Sequence, residues 1–149
     1  MPNTLIDTLT KMQSNIEDFF ILSKAYSESF PAEIKQGLLS FRDNTKELKT
    51  NYIKFSASLS CFLTNMEQTV SGIPSIMRDA DKALDEKTIL LCNDILLKYE
   101  GLCSDIDLFM SKSECALKSN NIPSSALYSY LTELERKVKS FENYIKIYK

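Results

Sequence analysis

The sequence predicts an all-α protein: an elongated antiparallel four-helix bundle whose two long central helices form a projecting coiled-coil-like hairpin. Three observations predict it. Three glycines and four prolines in 149 residues fall well under the usual ~12% for the pair, so turns are few. Apolar residues recur at alternating spacings of three and four along most of the chain, the period of one helix face. The prolines at 31, 74 and 123 fall between those periodic runs. Together they predict one helical-bundle domain over 1–149, with helices near 4–29, 32–71, 76–119 and 124–148.

The first helix carries Leu5, Leu9, Met12, Ile16, Phe19, Ser23, Tyr26 and Phe30 on one face. Thr4 followed by Asp7 suits its start, because a hydroxyl accepts an orphan backbone N–H and a carboxylate favours the positive helix end. Pro31 in "SFPAE" disfavours helix in the residue before it and suits the first turn of the next helix.

The second helix is the most regular: Ile34, Leu38, Phe41, Thr45, Leu48, Tyr52, Phe55, Leu59, Phe62, Met66, Thr69 and Ile73 keep one heptad-type seam. Gly37 costs about 1 kcal/mol relative to alanine, too little to interrupt it. Its aromatic residues read as core. In "SGIPS", Gly72 is expected to take a left-handed terminating conformation, Pro74 to prevent continuation and Ser75 to cap the third helix. The chain is therefore expected to reverse there.

The third helix shows Leu84, Thr88, Leu91, Ile95, Tyr99, Leu102, Ile106 and Phe109, with two spacings of four in a row, so its seam is expected to drift. Asp79 and Asp81 favour the positive end of that helix. Gly101 marks a bend, a close crossing or a tolerated mid-helix glycine. "SNNIPSS" separates it from the fourth helix, which carries Leu127, Leu131, Leu134, Val138, Phe141, Ile145 and Tyr148.

Lengths then suggest a shape. With a rise of about 1.5 Å per residue, the inner helices outrun the outer ones by roughly 20 Å or more. A reversal at Gly72–Pro74 leaves residues 57–71 and 75–91 as a two-helix arm, apolar on several faces. Exposed apolar patches usually mark contact sites, so Leu63, Met66, Val70, Ile76 and Met77 near the tip are the candidate interaction residues.

The residue types limit the chemistry. The chain has no histidine and no tryptophan, which excludes histidine-dependent triads, histidine-ligated zinc and the Glu-x-x-His di-iron motif. Cys61, Cys92, Cys103 and Cys115 have no Cys-x-x-Cys spacing, and read as reduced thiols. The acidic run from Asp79 to Glu86 lacks the glycine and third ligand of a calcium loop. No phosphate-binding glycine loop is present. Catalytic residues, cofactors and metal are each expected to be none. A net charge of −2 and a pI near 5.3 argue against nucleic acid.

No apolar run is long enough for a membrane span, and the first residues lack a signal-peptide pattern. An intracellular, cytoplasmic location is expected. The leading reading is a non-catalytic protein–protein interaction module: an adaptor, chaperone or assembly subunit, with a protein partner or self-association. The helix lengths around "SFPAE" and "SGIPS" are similar in pattern to BAR-type domains. That similarity implies the second reading, a peripheral membrane-binding helical dimer. Lys46, Lys49 and Lys54 with Arg136, Lys137, Lys139, Lys146 and Lys149 are the residues of a possible basic face for it.

Overall fold

The computed structural model describes residues 3–36, 45–79, 86–119 and 121–148, and among them there is no strand. Helices α1 (Asn3–Glu28), α2 (Ala32–Lys35), α3 (Thr45–Val70), α4 (Gly72–Asp79), α5 (Glu86–Lys118) and α6 (Ser125–Ile147) form a helical bundle. The expected Gly37, Leu38, Phe41, Asp81 and Leu84 lie outside the described residues.

Cross-helix contacts fix the register. Asn15 Nδ2 donates to Thr69 Oγ1 (3.3 Å), Phe19 meets Phe62 at 5.4 Å between ring centres, and Tyr26 stacks on Phe55 at 4.6 Å. One number rises as the other falls, so α1 and α3 are antiparallel. The Tyr52 hydroxyl donates to the Met110 carbonyl (3.3 Å), and Tyr99 donates to Glu67 (3.0 Å), which sets α3 antiparallel to α5. Lys137 pairs with Asp105 (3.0 Å) and Tyr144 donates to Asp94, setting α5 antiparallel to α6. Ser23 donates to Glu135 (3.0 Å), and Phe30 meets Tyr128 edge-on at 5.5 Å, closing α6 against α1. Among the described residues no Cα of α3 comes within 8 Å of one in α6, nor of α1 within 8 Å of one in α5, so these pairs stand diagonally.

This register changes the expected shape. Ser71 alone separates α3 from α4, and its N–H still reaches the Glu67 carbonyl at 2.9 Å. Gly72 opens α4 without a left-handed backbone. Ser75 lies within α4 rather than capping it. Pro74 is the third residue of α4, where a missing N–H costs nothing because the first turn has no intrahelical acceptor to reach. Proline thus starts a helix where a stop was expected. Like α3, α4 packs on both α1 and α5. No left-handed residue and no terminating proline marks a reversal at Gly72–Pro74. Likewise the expected helix over 32–71 is, among the described residues, α2, a turn at Gln36, and α3. Thr4 lies inside α1 rather than at its cap.

Every long helix contributes one stripe to a single core cluster. In α1 and α6 the stripe is the expected one, except that Tyr148 is exposed and Glu142 is buried between Lys139 (2.8 Å) and Lys146 (3.6 Å). In α5 the buried series is Cys92, Ile95, Tyr99, Leu102, Ile106, Phe109, Ser113 and Ala116. Its spacing alternates three and four throughout, so the expected drift disappears once Cys92 replaces Leu91. A small thiol and a serine hold core positions that a search for large apolar residues passes over.

Gly101 has no internal reason to be glycine. A methyl group added there would meet nothing within 4 Å, and its backbone is not left-handed. Gly101→Ala is expected to stabilise the chain by about 1 kcal/mol through helix propensity and unfolded-state entropy. Denaturant unfolding at low protein concentration checks this.

Candidate functional site

With the arm covered, the open apolar surface lies elsewhere. Among the described residues nine large apolar side chains are exposed, and six are on α5, on α6 or at the end of α6: Ile89, Leu90, Leu97, Leu108, Ile147 and Tyr148. Leu90 and Leu97 are each 65% exposed and Ile147 is 76% exposed. At 3.6 residues per turn, Leu90, Leu97, Gly101 and Leu108 stay within about 20° of one line along α5. That line is nearly opposite the core stripe. The helix is therefore apolar on two faces, and a helix with a second apolar face has a second surface to cover.

Beside this line runs a groove of about 540 Å³ between α5 and α6, lined by Gly101, Leu102, Phe141, Tyr144, Ile147 and Lys98, among others. Asp105 and Lys137 cross it as an ion pair and divide it from a smaller continuation of about 80 Å³ toward Leu108 and Tyr130. Lys98 sits over the Tyr144 ring at 4.8 Å and Lys112 over Tyr130 at 5.6 Å. A second pair of hollows, between α1 and α3, is smaller at about 290 and 150 Å³ and is lined by Asn15, Asp18, Ser58 and Asn65 among its apolar residues.

The sequence-predicted contact residues occupy other environments. Met66 is 0% and Val70 5% exposed, both in the core, while Leu63, Ile76 and Met77 are half-buried against it. The cause is α1, which runs antiparallel beside α3 and on to α4. The basic residues also divide. Lys46, Lys49 and Lys54 are on α3, diagonal to α6, and Arg136, Lys137, Lys139 and Lys146 each pair with a carboxylate. The signal for the α5 face was present as Leu90, Leu97, Gly101 and Leu108 at spacings of seven, four and seven. It was hidden because α5 has a stronger seam opposite.

Family models, curated proteins and solved structures show no match to this chain.

Among the described residues no group of three or more cysteine, aspartate or glutamate side chains could hold a metal ion, and no helix is long and apolar enough to cross a membrane. All four cysteines are free: Cys61 and Cys115 are exposed, Cys103 is half-buried and Cys92 is buried. Burial pushes the Cys92 and Cys103 thiols up from their ordinary value. A thiol reagent is expected to modify Cys61 and Cys115 quickly in the folded chain, and all four only after denaturation. Peptide mapping of the adducts checks this.

Burial also raises the phenols of Tyr26, Tyr52 and Tyr99, with Glu114 adding to it at Tyr52, and Cys103 and Glu67 at Tyr99. A phenol held neutral when folded but free to ionise when unfolded removes stability as pH rises past its unfolded value of about 10. Stability is expected to be flat in this respect from pH 7 to 9 and to fall above roughly pH 10, by up to about 1.4 kcal/mol per tyrosine per pH unit. Denaturant midpoints across that range read it.

Proposed function

We propose that the protein is a non-catalytic helical interaction module: a four-helix antiparallel bundle that acts by presenting the outer face of α5, with the α5/α6 groove, to a protein partner. The observation that carries this reading is the line Leu90–Leu97–Gly101–Leu108. Its leucines are exposed on a helix whose other face already fills a core. Exposed apolar surface of this kind is unfavourable in water unless something covers it. The groove adds the aromatic floor and polar rim that interfaces share. The ion-paired state of the α6 basic residues favours a protein partner over an anionic membrane surface, because paired charges attract lipid headgroups weakly.

A photo-crosslinking residue placed at Leu97 in cells that make the protein tests the reading. Discrete adducts at 97, absent when the same residue replaces exposed Ser129 on α6, are expected. No adduct at 97, or equal adducts at both positions, contradicts it.

A further inference from the structure

The outer face of α5 carries charges that complement each other across a two-fold axis. Lys98 and Lys112 flank the leucine line on the side of α6, where they lie over Tyr144 and Tyr130. Glu100 and Asp107 flank it on the opposite side, toward α3. All four are exposed, and among the described residues the ion pairs include none of them. On the α6 side Asp94 and Asp105 are engaged by Tyr144 and Lys137, so the charges that remain open are basic on that flank and acidic on the other.

We propose that the partner of this face is a second copy of the chain, with the two α5 helices side by side, parallel, and related by a two-fold axis running along them. The inference rests on the reading of this face as a contact surface. A two-fold axis along the helices sets the α6-side flank of each copy against the α3-side flank of the other. Lys98 then faces Glu100, and Lys112 faces Asp107, each twice. An antiparallel pairing does the reverse, bringing Lys98 to Lys98 and Glu100 to Glu100, and like charges oppose it. The charge pattern therefore selects the orientation as well as the partner.

The apolar line fits the same arrangement. Leu90, Leu97 and Leu108 meet their own copies along the seam, and Gly101 meets Gly101. Glycine weakens a helix interior, and apart from its own turn of helix nothing lies within 4 Å of where its Cβ would stand. Two backbones approaching closely at that level give the residue a use that the single chain does not. Lys98 and Lys112, already held over aromatic rings, are partly ordered before the second copy arrives.

Sedimentation equilibrium of the full chain, from micromolar to several hundred micromolar, is the first measurement. A reversible dimer is expected. Lys98→Glu and Glu100→Lys should each weaken it by roughly tenfold or more, because each substitution creates like charges at two symmetric places. An equimolar mixture of the two variants should recover dimer, since every facing pair is then opposite in sign. Orientation is read by Leu97→Cys in a chain carrying Cys61→Ser and Cys115→Ser. Mild oxidation should give a covalent dimer, because parallel pairing sets residue 97 beside its copy. A wild-type chain that stays monomeric overturns the proposal, as does a mixture that fails to recover dimer or a Leu97→Cys chain that does not cross-link. If Leu97 adducts then contain a different protein, self-pairing fails and the contact-surface reading stands. If Leu97 gives no adduct of any kind, both fail.

Discussion

Met66→Glu is expected to abolish the cooperative fold, although Met66 belongs to the stretch whose apolar character first suggests an exposed contact site. Its side chain is fully buried in the core cluster, on the α3 stripe between Phe62 and Val70. Glutamate there must either bury an unpaired carboxylate or take up a proton, and it also loses the packing of the thioether. Such substitutions cost upwards of about 4 kcal/mol, set against a total stability of roughly 5–15 kcal/mol for a domain. Leu97→Glu, 65% exposed on α5, is the control. It should change monomer stability by no more than about 0.5 kcal/mol, as surface substitutions usually do. Far-UV circular dichroism and denaturant titration of both variants separate the two environments.

Phe19→Ala is expected to cost about 3–5 kcal/mol, the usual range for deleting a buried aromatic ring. Phe19 is 1% exposed. Its ring lies 5.4 Å from Phe62 and 6.3 Å from Phe55, and meets Phe20 edge-on at 5.2 Å. Aromatic pairs in such offset geometries add about 0.5–1.5 kcal/mol beyond area burial. Removing the ring leaves a cavity between two helices whose registers depend on that cluster. Phe20, half-buried at its edge, should cost less on the same substitution. The difference between the two denaturation midpoints is the reading, and equal losses would place Phe19 outside the core.

The core was legible because period alone decides which face of an amphipathic helix is buried. Leu5 through Phe30 on α1 and Leu127 through Ile145 on α6 follow from spacing and need no tertiary information. The register between helices was not legible. Length counting assumed an unbroken helix from 32 and a reversal at Gly72–Pro74. A proline that ends one helix and a proline in the first turn of the next are the same letter, and Pro74 proved to be the second kind. The packing of α1 along α3 and on to α4 is what turns Met66 and Val70 from arm to core. The α5 face was hidden for a different reason. Cys92 and Ser113 hold core positions, so the large apolar residues of α5 alone do not trace its buried stripe, and the leucines at 90 and 97 do not stand out as a separate face. Gly101 drew notice as a bend or crossing, yet only the empty space around it shows that the single chain does not need it.

The central claim is that the open apolar surface of this protein is the outer face of α5 and that it is covered in association. Paramagnetic relaxation of side-chain methyl groups by a soluble probe, recorded at low and high protein concentration, tests it most directly. At low concentration the Leu90, Leu97 and Leu108 methyls should relax strongly and the Met66 methyl hardly at all. At high concentration the Leu97 and Leu108 methyls should become shielded while Ile21 on α1 stays exposed. A Met66 methyl that relaxes as strongly as Leu97, or α5 methyls equally exposed at both concentrations, would contradict the account.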